Sequence, residues 1–258
     1  MGLLDGRIAL VTGGESGIGA ACAEALGAAG ASVAVLYYKD ADAAGAVRDR
    51  IAAQGCRAAI VQADVGDENQ VAHAFAAARA QLGLPDLLVN SAGLNMSGIA
   101  VADMELSQWE RLIRTDLTGA FLTSRAFVRG LRDAKKPGRI VNISSIHSRA
   151  VRYGGADYCS AKAGLDNLTR TMAVECGALK ISVNAIAPGM ILTPMNKRAE
   201  TDPAYLAEAE KHIPWGRAGR PDEVADLAVY LCSDKSDYIT GSVITIDGGL
   251  TLEQALGA

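Results

Sequence analysis

A chain of 258 residues, half of them hydrophobic and only 5% aromatic, can bury a sizeable core and fits one α/β domain packed with alanine, valine and leucine. A net charge of −4 without a basic stripe or arginine-rich arm argues against a nucleic-acid partner, and the arginines at 7, 48, 50, 111, 114, 129 and 132 read as solvated helix faces. No apolar run can span a bilayer and no signal peptide opens the chain, so a soluble cytoplasmic protein with no membrane partner is expected.

In chain order, apolar strand-length runs at 7–11, 32–37, 58–63, 86–89, 139–143, 181–187 and 242–246 alternate with helical patterns near 18–29, 40–54, 67–82, 107–133, 158–179 and 221–232. Seven strands separated by helices require crossover connections. The expected fold is therefore a doubly wound (Rossmann) α/β fold, with a seven-stranded parallel sheet and helices on both faces. No repeat or linker divides the chain, so residues 1–258 read as one domain. The stretch 191–215, with prolines at 194, 203 and 214, breaks the rhythm after a strand's carboxyl end and reads as a lid over a substrate.

The first strand leads into Thr12-Gly13-Gly14-Glu15-Ser16-Gly17-Ile18-Gly19 and then a helix, the context a dinucleotide-binding turn requires. Gly13 permits the tight turn, Gly17 lets the backbone approach a pyrophosphate, and Gly19 lets the helix sit close to the sheet. The free amides at the helix start would face the phosphates. Farther along, Tyr158 and Lys162 stand four residues apart, on one face of a helix. An ammonium beside a phenol favours the phenolate over its ordinary pKa of ~10, and such a tyrosine can trade protons with an alcohol or carbonyl. The five cysteines (22, 56, 159, 176 and 232) form no Cys-x-x-Cys pair and join no histidine cluster, so reduced thiols and no metal site are expected. Cys159 reads as a packing residue.

The Gly-x-x-x-Gly-x-Gly turn together with Tyr-x-x-x-Lys resembles the short-chain dehydrogenase/reductase family. Further motifs extend the resemblance over the whole chain: Asn90-Ser91-Ala92-Gly93, Ser144-Ser145, Pro188-Gly189 with Thr193, and Asp247-Gly248-Gly249. The resemblance implies a catalytic serine thirteen residues before the tyrosine, which selects Ser145 over Ser144. Ser145 would hold the substrate oxygen, Tyr158 would exchange its proton, and Lys162 would tune the tyrosine and bond the nicotinamide ribose. Where the family commonly has Asn-x-x-Gly, this chain has Asp116-Leu117-Thr118-Gly119. Asp116 is either a member of the proton relay or a plain helix aspartate, and its charge would offset the pull of Lys162 on Tyr158.

Cofactor contacts are implied at Gly13, Glu15, Ser16, Gly17, Ile18, Gly19, Tyr37, Tyr38, Lys39, Asp64 and Val65, and at Asn90, Ala92, Gly93, Tyr158, Lys162, Pro188, Gly189, Ile191 and Thr193. NAD-specific members carry an acid at the end of the second strand, where this chain has Tyr37. With Lys39 nearby to meet a 2′-phosphate, NADP(H) is favoured and NAD(H) possible; Glu15 would oppose that phosphate if it pointed inward. The pattern around Ser145-Ile146-His147, the Pro-Gly-x-x-x-Thr-Pro stretch and the C-terminal Asp-Gly-Gly-Leu-Thr is closest to bacterial glucose 1-dehydrogenases. An aldose 1-dehydrogenase is therefore the first expectation, and a ketone or 3-oxoacyl reductase or a catalytically silent dinucleotide-binding protein the alternatives. His147 would bond a sugar hydroxyl or merely cap a strand end, and Asn95, Met190 and Trp215 are further lining candidates. The resemblance also implies a homotetramer.

Overall fold

The computed structural model describes residues 2–252. Its centre is a seven-stranded parallel sheet in the order β3-β2-β1-β4-β5-β6-β7. The strands are β1 (Ile8–Thr12), β2 (Ser32–Tyr37), β3 (Ala58–Gln62), β4 (Leu87–Asn90), β5 (Gly138–Ile143), β6 (Ile181–Pro188) and β7 (Val243–Ile246). The order runs outward in both directions from the β1/β4 pair, where Thr12 lies beside Asn90. Such a reversal opens a crevice at the carboxyl ends of the central strands.

The alternation within each strand explains the unbroken apolar runs. In β1, Ala9 and Val11 face one core with Val33, Val35, Leu26, Val47 and Leu231, whereas Leu10 faces the other with Leu36, Leu88, Phe127, Leu131 and Ile140. Both sheet faces are thus covered, as a parallel sheet demands. Helices α1 (Gly17–Ala28), α2 (Ala41–Ala53) and α9 (Pro221–Cys232) close the first face. Helices α3 (Glu68–Leu82), α5 (Gly119–Ala134) and α6 (Ala156–Cys176) close the second. Local chemistry sets several starts: Asp40 accepts the Ala43 amide ahead of α2, and Asp67 accepts those of Asn69 and Gln70 ahead of α3.

Strand and helix limits agree with the sequence expectation to within three residues, with two exceptions. The stretch 107–133 is not one helix. It comprises α4 (Leu106–Ile113), a π-helical turn over Arg114–Thr118, and α5. Side-chain periodicity hardly changes across a single wide turn, so the sequence pattern hides it. The segment 191–215 holds a 3₁₀ turn (Pro194–Asn196) and two short helices, α7 (Lys197–Thr201) and α8 (Pro203–Glu210), the latter started by Asp202 accepting the Tyr205 amide. Too few apolar residues repeat there for a helical period to stand out.

Phe127 is among the largest fully enclosed side chains of the second core. Phe127→Ala should lower stability by about 3–5 kcal/mol through lost transfer energy and an unfilled cavity, read as a reduced urea midpoint with unchanged slope.

Candidate active site

A cleft of about 1700 Å³ lies along the carboxyl edge of the sheet, and the glycine turn and the Tyr158–Lys162 pair both line it. At its floor, Gly17 adopts φ +53, a left-handed conformation that disfavours any side chain, and α1 begins there. Ser16 precedes α1 without making a side-chain capping bond. The first amides of the helix therefore have no side-chain partner and stand at the cleft wall, an arrangement that suits a pyrophosphate. Gly13 lies so near the next loop that a Cβ would come 2.8 Å from Ala92 Cα. The buried hydroxyl of Thr12 accepts the amides of Ser91 and Ala92, both at 3.0 Å, and so pins the glycine turn to the end of β4.

Asn90, at that strand end, is buried in a polar chain. Its amide donates to Ser124 Oγ (2.9 Å) and Asn142 Oδ1 (2.8 Å), and its carbonyl accepts Thr123 Oγ1 at 2.7 Å. Asn142 continues to Thr169 Oγ1 at 2.9 Å, which ties β4, β5, α5 and α6 together beneath the cleft. Each polar group in this dry region thereby has a partner, and the strand ends keep fixed spacing.

Beyond β5, the two serines divide. Ser144 donates its hydroxyl to buried Asp166 at 2.5 Å. Ser145 accepts the His147 amide at 3.1 Å and keeps its hydroxyl hydrogen at the cleft wall. The His147 ring stands edge-on to Tyr158, with centroids 6.2 Å apart. Lys162 is 5% exposed, and its ammonium sits 5.3 Å from the Tyr158 ring centroid. It donates to the Ile143 carbonyl at 3.2 Å and lies 3.1 Å from Asp116 Oδ2. Burial alone would pull this ammonium down, but the charges of Asp116, Tyr158 and Asp166 outweigh it and raise its pKa. Asp116, 1% exposed, occupies the π-helical turn. Burial pushes its carboxyl up, against the opposing pull of Lys162 and the Leu94 amide.

The family model described as enoyl-(acyl carrier protein) reductase matches residues 13–251. The chain is 40% identical over 250 residues to a 3β-hydroxysteroid dehydrogenase of Eggerthella lenta, covering 96% of this chain and 95% of the relative. It is 34% identical to glucose 1-dehydrogenase 2 of Bacillus subtilis over 249 residues, 96% of each chain. The chain belongs to the short-chain dehydrogenase/reductase family. A solved structure of a proposed 2-deoxy-D-gluconate 3-dehydrogenase from Agrobacterium tumefaciens, with bound NADP, superposes with a TM-score of 0.87 at 33% identity, covering 96% of this chain and 98% of that one. Like its family, this short-chain dehydrogenase/reductase is an oxidoreductase of CH–OH or carbonyl groups that uses a nicotinamide dinucleotide.

The cleft of this short-chain dehydrogenase/reductase gathers most of the residues singled out from sequence. Gly13, Glu15, Ser16, Gly17, Ile18, Gly19, Tyr38, Lys39, Asp64, Val65, Ala92, Gly93, Pro188, Gly189, Ile191 and Thr193 line it, as do Asn95, His147 and Met190. Three do not. Tyr37 is buried in the core at the end of β2, and Asn90 lies beneath the floor in its polar chain. Trp215 is 73% exposed and outside the lining, with its amide donating to the Gly248 carbonyl at 3.0 Å, so the expected lining position is not where the structure has it. Arg111 and Arg114 are exposed, as the reading of solvated helix faces expects, but they have a further place. Both line the cleft, and Arg114 pairs with Asp64 at 3.2 Å and donates to the Gly66 carbonyl. The π-helical turn, invisible in the sequence, carries Arg114 to that wall.

Other lining residues were not singled out individually from the sequence. Arg152 and Tyr153 come from the loop before α6, and Tyr205 and His212 come from the region of α8. They lie in irregular or short elements without periodicity, and only Tyr205 and His212 fall in a stretch, 191–215, that the sequence marked as a lid. Cys159 is half-buried beside a separate small apolar pocket, and all five cysteines are free. Burial holds the Cys232 thiol up at about 12 and that of Cys22 higher, so neither supplies a reactive thiolate near neutrality. Among the described residues no helix is long and apolar enough to cross a membrane.

A Cβ at Gly17 would be strained by its φ of +53 and would touch Thr193 at 3.4 Å. Gly17→Val should retain native circular dichroism while weakening NADPH binding by about tenfold or more, measured from the fluorescence of the reduced nicotinamide.

Proposed function

We propose that the enzyme moves a hydride between nicotinamide and the carbon of a secondary alcohol, hemiacetal or ketone, with an aldose oxidised at its first carbon as the leading substrate. The observation that carries this reading is that Ser145, Tyr158 and Lys162 line the same cleft as the glycine turn. A bound nicotinamide dinucleotide would supply or accept the hydride, held by Gly13, the α1 amides and Lys162. Ser145 holds the substrate oxygen, because Ser144 has already given its hydroxyl hydrogen to Asp166. Tyr158 takes the proton from an alcohol or returns it to a carbonyl oxygen. Lys162, kept charged by its surroundings, orders the ribose and favours the phenolate. In this reading one domain does all of this, and α7 and α8 form the lid.

Polar lining groups at Asn95, His147, Tyr153 and His212 suit a sugar, and a glucose 1-dehydrogenase stands among the relatives. A second reading, reduction of a ketone or 3-oxoacyl thioester, is supported by apolar lining at Leu94, Met96, Met190, Met195 and Leu250. NADP(H) is the favoured cofactor and NAD(H) is also accepted. Lys39 at the end of β2 and the NADP-bound Agrobacterium relative support the phosphate form. Glu15 works against it: one carboxylate oxygen accepts the Tyr38 amide at 3.2 Å, and the other is buried without a partner among the described residues. The five free cysteines suit a reducing, cytoplasmic setting. Exposed Phe121 on α5 and Val174 on α6 suit a homotetramer.

Tyr158→Phe should lose roughly 10²–10⁴-fold in kcat/KM while still binding NADPH. The measurement is nicotinamide absorbance on a panel of D-glucose, other aldoses, simple ketones, acetoacetyl-CoA and a 3β-hydroxysteroid. Near-normal turnover by this variant would defeat the assignment, and the panel member turned over best decides between sugar and ketone. Glu15→Gln should raise the preference for NADP(H) over NAD(H) by roughly five- to tenfold, because a like charge beside the 2′-phosphate is removed. An unchanged ratio of kcat/KM values would place Glu15 away from the phosphate.

A further inference from the structure

The family resemblance assigns the Asp116 position to an uncharged amide, yet here it holds a carboxylate beside the one lysine the chemistry uses. Asp116 Oδ1 accepts the Leu94 amide at 2.7 Å, which fixes the plane of the carboxylate. Gly93 closes over the other side, so near that a Cβ there would come 2.9 Å from Oδ2. Oδ2 is left facing Lys162 Nζ at 3.1 Å, while the ammonium's aligned hydrogen bond goes to the Ile143 carbonyl. The side chains are 0% and 7% exposed, so solvent screens the pair little.

The other ionisable groups facing this lysine are differently engaged. From α6, Asp166 receives the Ser144 hydroxyl, and Asp157 receives the amides of Tyr158 and Ser97. From the turn after β5, His147 presents its ring edge to Tyr158, with Nδ1 at the Ala150 carbonyl. Of the three buried aspartates, Asp116 alone makes an ion pair with Lys162.

We propose that Asp116 is a positioning residue that acts as counter-charge to Lys162 and thereby sets the pH at which Tyr158 can accept a proton. An ammonium stabilises a neighbouring phenolate through its field, and a carboxylate fixed on its other side cancels part of that field. Oxidation needs the phenolate, which takes the alcohol proton as hydride leaves the carbon for oxidised nicotinamide. It therefore turns on at higher pH than it would with an amide at 116. Reduction needs the phenol: hydride from reduced nicotinamide adds to the carbonyl carbon, Tyr158 gives its proton to the oxygen, and solvent reprotonates the phenolate. That direction is preserved at neutral pH.

The inference rests on the role given to Tyr158 above, and its test separates the two. Wild type, Asp116→Asn and Asp116→Ser are titrated without cofactor by the ultraviolet absorbance of tyrosinate, each against its own Tyr158→Phe counterpart, with circular dichroism confirming the fold. Either neutral variant that folds suffices. The Tyr158 phenolate should appear roughly one pH unit lower in the variants, and Asp116→Glu should restore the wild-type curve. With NADP and D-glucose, the acidic limb of kcat/KM should move down by the same amount. A purely structural role would lower activity without moving either curve. An unmoved or upward-shifted titration overturns the inference, whatever the activity. A downward shift in a protein that turns over no panel member upholds the inference and refutes the catalytic reading instead.

Discussion

A parallel sheet points every strand's carboxyl end to one edge, and the functional groups of this protein follow from that constraint. The glycine turn leaves β1, Lys39 follows β2, Asp64 follows β3, Ala92 and Gly93 follow β4, Ser145 follows β5, and Gly189 follows β6. Because the strand order reverses between β1 and β4, the loops from these two strands diverge and leave a crevice where a long, two-ended ligand can lie. Thr12 and Asn90 close the floor of that crevice. Their hydrogen bonds replace the water that strand ends would otherwise require, so the spacing between the two halves is set by buried contacts.

Placing an ammonium in such a dry floor is costly unless an opposite charge accompanies it. Lys162 meets that requirement through Asp116, delivered from the π-helical turn packed against α6. The wide turn does two jobs at once: it turns Asp116 inward, and it sends Arg114 to the Asp64 wall. A regular helix would set the two side chains at a different angle to each other. The wall formed after β1 and β2 repeats the theme in milder form. There Lys39 lies over the Tyr38 ring while Glu15 accepts the Tyr38 amide, so a cation and an anion share one stretch of the cleft wall.

Charge around Tyr158 is therefore distributed, with one lysine among three buried aspartates. Two of these carboxylates are occupied by hydroxyl and amide donors and shape the local backbone. Asp166 orients Ser144, which leaves Ser145 as the free serine, and Asp157 joins the start of α6 to the loop at Ser97. The third is spent on the ammonium. The arrangement makes the electrostatics of Tyr158 a property of four chain segments, β5, the π-helical turn, the loop after β4 and α6.

Alternation of apolar runs with helical periods already determined the parallel sheet, and the strand–glycine–helix pattern located the turn that lines the cleft, since both are local consequences of side-chain spacing. Tyr158, Lys162 and Ser145 were legible for the same reason: their relation is a fixed offset along the chain. Tertiary structure alone decided which groups far apart in sequence meet: Asp116 with Lys162, Ser144 with Asp166, Arg114 with Asp64, and Trp215 turned away from the cleft. The physical reason is that a periodicity reports which face of an element is buried but not what it is buried against. An ion pair between separate segments exists only once the sheet and the π-helical turn have brought both charges into the same dry space.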